Sequence, residues 1–227
     1  FFDFIDLAKK LQPKVVIAEN VKGLLLGEAK NYVRKIYREF DLAGYYVQHW
    51  LLDASKMGVP QRRERVFFIA LRKDLAEPFM EQVDMFTVLP KLKLEFNEPE
   101  IPYKEIEVDF GYYCRKSEKL YPSWIKRYPL VKKGKCFNTS GKGLYNCNKL
   151  DENKPLQTIV AKFDGGGNFH YSDCRKINAT ELRLGGSFPL DYNFLHNPVQ
   201  YIVGMSVPPV VMANISEQVY EQWLSKI

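Results

Sequence analysis

The stretch "DASKMGVPQRRERVFFIA", residues 53–70, sets Arg62, Arg63 and Arg65 directly before an apolar run that begins at Val66. A short continuous apolar run behind a turn-rich segment reads as a strand covered on both faces. The segment before it, "YYVQHWLLDA" (45–54), reads as another strand. The connection between the two is too short for a crossover helix, so an antiparallel pair at one edge of a sheet is expected. Charge runs are usually solvated faces. This one lies at the mouth of a core element, so it reads either as a solvated basic loop or as part of a site. A guanidinium offers forked donors that suit a carbonyl, a carboxylate or a phosphate. If the chain is extended there, Arg63 and Arg65 point one way and Arg62 the other.

Upstream, "FFDFIDLAKKLQ" (1–12) places Phe1, Ile5, Ala8 and Leu11 at helical spacing, and Pro13 closes that helix. "KVVIAEN" (14–20) carries the apolar run 15–18, expected to be a strand of a parallel sheet. Residues 28–43 read as an amphipathic helix with Ala29, Tyr32, Val33, Ile36 and Phe40 on one face, ended by Gly44. Helix, strand, helix, strand is the order of an α/β sheet. After Lys73 prolines, lysines and tyrosines dominate without a sustained period, and "FDGGGNFHY" (163–171) is a glycine-rich turn flanked by aromatics. "VPPVVMANISEQVYEQWLSKI" (207–227) reads as a returning helix with prolines in its first turn. The expected architecture is a partial Rossmann-like α/β sheet over residues 1–84 and 198–227. A smaller, mostly β and irregular domain is expected over 85–197.

With 46% apolar residues in a chain of 227, a substantial core is expected and low-complexity disorder is not. The net charge of +6 suits an anionic partner such as nucleic acid. No unbroken apolar run reaches the roughly 18 residues of a membrane span, and no basic leader precedes Phe-Phe-Asp-Phe, so neither a membrane segment nor a signal peptide is expected. Cys114, Cys136, Cys147 and Cys174 form no CxxC pair, and with His49, His170 and His196 they show no zinc-ligand spacing, so no metal is expected. No GxGxxG or P-loop signature is present. Glu19, followed by Asn20, stands at the carboxyl end of the strand at 14–20, where open α/β sheets bind ligands. It reads as an acid or hydrogen-bonding group of a site, or as a cap or surface carboxylate. In the expected sheet the arginine cluster shares its edge.

"AENVKGL" (18–24), "DASKMGVPQRRERVFFIA" (53–70), "KINATELRLGGSFPLDY" (176–192) and "GMSVPPVVMANI" (204–215) resemble, in order, motifs VI, VIII, IX and X of the DNA (cytosine-5)-methyltransferases. "FFDFIDLAKKLQP" is similar to motif V, and "PLQTIVAKFDGGGNFHY" (155–171) to the end of the family's target-recognition region. The resemblance implies a large α/β methyltransferase domain and a small recognition domain with double-stranded DNA between them. It implies a cytosine flipped out of the duplex, attacked at carbon 6 by a cysteine and methylated at carbon 5 from S-adenosylmethionine.

Carried over by motif, Glu19 would bind the exocyclic amine and ring nitrogen 3, Arg65 the ring carbonyl, and Arg63 would position the base and the nucleophile loop. Asn20 would fix the loop. Gly204, Met205 and Ser206 match the cofactor-side turn, with Met205 where the family usually has Asn, so backbone contacts are expected there. Gly165, Gly166, Gly167 and Asn168 fall in the region expected to meet DNA. The family's cofactor glycine motif and Pro-Cys loop have no counterpart, and all four cysteines fall in the recognition region. The sequence therefore reads as the carboxyl-terminal part of such an enzyme, inactive until an amino-terminal half completes it, and located with DNA in a bacterial cytoplasm or a nucleus. A non-catalytic DNA-binding or regulatory subunit and a transfer-RNA methyltransferase of the same superfamily remain open.

Overall fold

Helix α1 (Phe2–Leu11) ends where Gln12 turns left-handed, with φ of 49°, and Pro13 cannot continue it. It buries Ile5 and Ala8, but Leu11, expected on that face, is exposed. A short 3-10 turn precedes helix α2 (Lys30–Leu42), which buries Ile36 and Phe40 and leaves Tyr32 in solvent. Gly44 then takes a φ of 92°, a left-handed turn that a side chain would strain, and the chain enters a strand. The computed structural model describes residues 1–83, 85, 87–108, 122–137, 147–161 and 167–227.

Strands β1 (Val15–Val21), β2 (Tyr45–Asp53) and β3 (Glu64–Arg72) form one sheet in the order β1-β3-β2. The β2–β3 pair is antiparallel, as its short connection requires. Among the described strands β1 pairs with no parallel neighbour: it also runs antiparallel to β3, which occupies the centre of the three. That placement explains why 66–71 is one apolar run. Val66, Phe68 and Ala70 pack with α1, α2, Tyr45 and Val47, while Phe67, Ile69 and Leu71 on the opposite face are equally dry. β1 is covered less evenly, burying Val16 and Ala18 and leaving Val15 and Ile17 half-buried.

Two compact units result. The first holds Phe1–Asp53, Glu64–Glu95 and Asn214–Ile227, and the second Ala54–Arg63 and Phe96–Ala213. These limits differ from those read in the sequence: 54–63 and 198–213 fall in the second unit and 85–95 in the first. There Arg62 donates its amide to Leu156, Leu156 donates to Pro60, and the Thr158 hydroxyl donates to the Arg62 carbonyl.

The second unit's described strands are only three residues long. β4 (Met80–Gln82) and β5 (Val88–Pro90) form a hairpin in the first unit, and β6 (Cys147–Lys149) pairs in parallel with β7 (Gly167–Phe169) in the second. Helix α3 (Pro122–Arg127) brings Trp124 into an aromatic cluster with Tyr128, Phe137 and Phe169. Helix α4 (Ala179–Gly185) opens on a capping box in which Asn178 Oδ1 accepts the Glu181 amide and Glu181 Oε2 accepts that of Asn178. Helix α5 (Val199–Met205) and helix α6 (Pro209–Gln222) follow, with Pro209 at the start of α6. The span Val199–Lys226 is long and apolar enough to cross a membrane by length and composition. Its Val203, Val211, Ile215, Val219 and Trp223 are buried.

Candidate active site

Antiparallel register sets the carboxyl end of β1 against the start of β3, with Val21 opposite Arg65 and Glu19 opposite Phe67. Side chains two apart share a face, so Glu19 lies diagonally across from Arg65. Arg65 Nε is 2.9 Å from Glu19 Oε1, with the two side chains 18% and 29% exposed. Arg65 Nη1 donates to the Glu64 carbonyl at 2.8 Å. Asn20 Oδ1 accepts the Val21 amide at 2.8 Å, a contact that stiffens the turn out of β1. Sequence reasoning thus placed Glu19 and Arg65 at one sheet edge, and the structure joins them as an ion pair.

In the second unit Arg63 is 4% exposed. Its Nη1 donates to the Ile159 carbonyl at 3.1 Å and its Nη2 to that of Gly204 at 2.9 Å. These bonds commit two of its nitrogens to the chain's own backbone. Arg62 instead reaches Glu100, whose carboxyl is held below the usual range by the Arg62 hydrogen bond and by Lys56.

The turn expected on the cofactor side, 204–206, has these local contacts. A side chain at Gly204 would lie 2.4 Å from the Ala161 amide nitrogen, so the missing Cβ lets α5 pack on the 160–161 backbone. Ser206 Oγ donates to the Ile202 carbonyl at 2.6 Å, and Met205 is exposed. Asn168, expected in the region that meets DNA, is 5% exposed, and its Nδ2 donates to the Gln157 carbonyl at 3.0 Å. Gly167 pairs with Cys147 at a φ of 136°. Gly165 and Gly166 lie outside the described residues.

Several polar residues escaped the sequence reading. Gln61, 1% exposed, donates to the Gly185 carbonyl and accepts the Ile159 amide. Glu181, fully buried, accepts two guanidinium bonds from Arg175 and one from the Tyr103 hydroxyl. The pattern Asn178-x-x-Glu181 spelled that helix start in advance. Lys22 Nζ sits 2.8 and 2.9 Å from the two carboxylate oxygens of Glu64, for which the sequence carried no signal. Among the described residues no cluster of three or more His, Cys, Asp or Glu is arranged for a metal.

The sequence model of the C-5 cytosine-specific DNA methylase family matches residues 1–221. The chain belongs to this family. A type II methyltransferase of Neisseria gonorrhoeae, M.NgoFVII, is 26% identical over 95% of the chain, which spans 61% of that relative's length. M.FnuDI of Fusobacterium nucleatum is 48% identical over 75 residues, 33% of the chain and 22% of that protein. Among solved structures, a prophage-encoded chain of Escherichia coli described as a DNA modification methyltransferase is similar with a TM-score of 0.69, at 20% identity over 97% of this chain and 73% of its own. The DNMT2 of Spodoptera frugiperda gives a TM-score of 0.62, at 18% identity over 95% of this chain and 70% of that one. The family member described here therefore has the α/β fold of the C5 methyltransferases.

Proposed function

We propose that this chain is the base-binding, carboxyl-terminal part of an enzyme that methylates carbon 5 of cytosine in double-stranded DNA. The Glu19–Arg65 pair carries the reading. It holds a carboxyl and a guanidinium side by side, partly out of water, at the end of a strand. The pair meets through Glu19 Oε1 and Arg65 Nε, and Arg65 Nη1 is seated on the Glu64 carbonyl. A cytosine edge offers an amine donor, a ring-nitrogen acceptor and a carbonyl acceptor. Glu19 accepts from the amine and, once protonated, donates to nitrogen 3. Arg65 donates to the carbonyl. Attack of a thiolate at carbon 6 drives electron density toward that nitrogen and oxygen, where these donors stabilise it. Bound S-adenosylmethionine supplies the methyl group for carbon 5. Loss of the carbon 5 proton then restores the ring double bond and expels the thiolate. The thiolate comes from an amino-terminal segment with a Pro-Cys loop. Cys147 is buried in the second unit's aromatic cluster and is unsuited to the part. Arg63 acts as a positioning group through the carbonyls it holds, and the enzyme works with DNA in a cytoplasm such as that of its bacterial relatives.

The test uses the enzyme assembled with that segment. Glu19→Gln should retain duplex DNA binding and slow methylation by about a hundred- to thousand-fold, the usual effect of losing one such contact. Unimpaired turnover by Glu19→Gln removes this residue from the chemistry. A folded wild-type assembly that methylates transfer RNA and not duplex DNA changes the substrate. One that binds DNA and methylates neither leaves a binding subunit.

A further inference from the structure

Two charged groups flank the Glu19–Arg65 pair without a part in the reaction above. Lys22 is the first residue after β1 and Glu64 the first of β3. We propose that Lys22, acting through Glu64, is a positioning residue for Arg65. The proposal rests on the base-binding reading of Arg65.

Lys22 Nζ contacts both oxygens of the Glu64 carboxylate, at 2.9 and 2.8 Å, which fixes that side chain more tightly than a single contact does. The carbonyl of the same Glu64 is the seat of Arg65 Nη1, at 2.8 Å. Arg65 Nε in turn meets Glu19 Oε1 at 2.9 Å, and the β1 backbone runs from Glu19 back to Lys22. The four residues close a ring that ties the last turn of β1 to the first residues of β3. An arginine side chain has many rotamers, and a loose one must be ordered when a base arrives. Here Nε meets Glu19 and Nη1 the Glu64 carbonyl, so the ordering is done beforehand. Both Lys22 and Glu64 are near 45% exposed, and ion pairs at that exposure contribute little to stability. Orientation of Arg65 is the effect that such a pair can supply. A lysine at this edge is also placed to meet a DNA phosphate. That role would act on DNA affinity and on its salt dependence, not on the chemical step.

The experiment measures methyl transfer to duplex DNA by the enzyme assembled with its amino-terminal segment. Lys22→Ala should lower kcat by about tenfold, the scale of a modest misalignment, with KM for DNA and the melting temperature unchanged. Glu64→Ala should match it, and the double variant should lose no more than either, since both act through one contact. Lys22→Arg should stay near wild type, and the exchange Lys22→Glu with Glu64→Lys should recover most of the loss. A Lys22→Ala enzyme with wild-type kcat overturns the proposal. So does a loss confined to KM and to the salt slope, which assigns Lys22 to phosphate. A wild-type assembly that transfers no methyl group overturns the proposed function and this role with it, and the wild-type control separates the two failures.

Discussion

A Cβ built at Gly204 would stand 2.4 Å from the Ala161 nitrogen and 2.6 Å from the Val160 carbonyl carbon, both backbone atoms that cannot swing aside. Gly204→Ala should therefore destabilise the protein by about 1–3 kcal/mol, the range for overpacking a tight site. The neighbouring exposed Met205→Ala should change it by less than about 0.5 kcal/mol. Urea titration of both variants checks this. Equal stability for the two would mean that α5 is free to move off the 160–161 backbone. The same residue shows what the sequence could not say. "GMS" matches a family motif, yet what Gly204 touches lies more than 40 positions away in the chain, and local pattern carries no such information. Arg63 is the same case: its type is legible, but its two carbonyl partners are 96 and 141 residues distant. Glu19 and Arg65 were legible because a strand end and a strand start are local features, and pairing alone brings them together.

At the scale of elements, periodicity and punctuation predicted the existence of α1, α2, β2, β3 and α6, since each depends on its own residues. The direction in which β1 pairs was not predictable, because an apolar run of four residues fits either orientation and only the position of β3 decides it. The start of α4 illustrates a cap that also carries charge. Burial pushes the Glu181 carboxyl up, but the Arg175 hydrogen bonds, the Asn178 amide and the Tyr103 hydroxyl outweigh it and leave Glu181 below the ordinary range. A carboxylate lowered in the folded state adds stability that is complete above its unfolded value, about 4.3, and is lost as pH falls through the folded value. Thermal melting of the wild type should thus decline on acidification below about pH 4. Glu181→Gln should melt lower at pH 7, since Arg175 loses its buried counter-charge, and should show a shallower acid decline. An acid limb as steep as that of the wild type would show that other carboxylates govern it.

On the scale of the whole molecule, β1 pairs only with β3 among the described strands, and α1 turns Phe4, Leu7 and Leu11, at i, i+3 and i+7, into solvent. A free strand edge and a second apolar stripe on one helix invite association. The chain also spans only 61% of the length of its relative M.NgoFVII. The chain by itself should accordingly be poorly soluble or self-associated in sedimentation, and should transfer no methyl group because it brings no Pro-Cys loop. Its lysines and arginines should still give duplex DNA binding that weakens steeply with salt, and an affinity flat from low to physiological salt would count against a DNA-binding surface. Mixing with an amino-terminal segment that bears the Pro-Cys loop should convert the associated material to a defined complex and restore labelled-methyl transfer to duplex DNA. Burial of the α1 stripe drives the first change and supply of the thiolate the second, so the two are separable. A variant with Phe4, Leu7 and Leu11 replaced by polar residues should gain solubility and lose complementation. A segment whose Pro-Cys cysteine is replaced by serine should form the complex and leave it inactive. Methyl transfer by the chain alone would overturn the need for a partner segment, and a well-formed but inactive wild-type complex would overturn the split of the chemistry between the two parts.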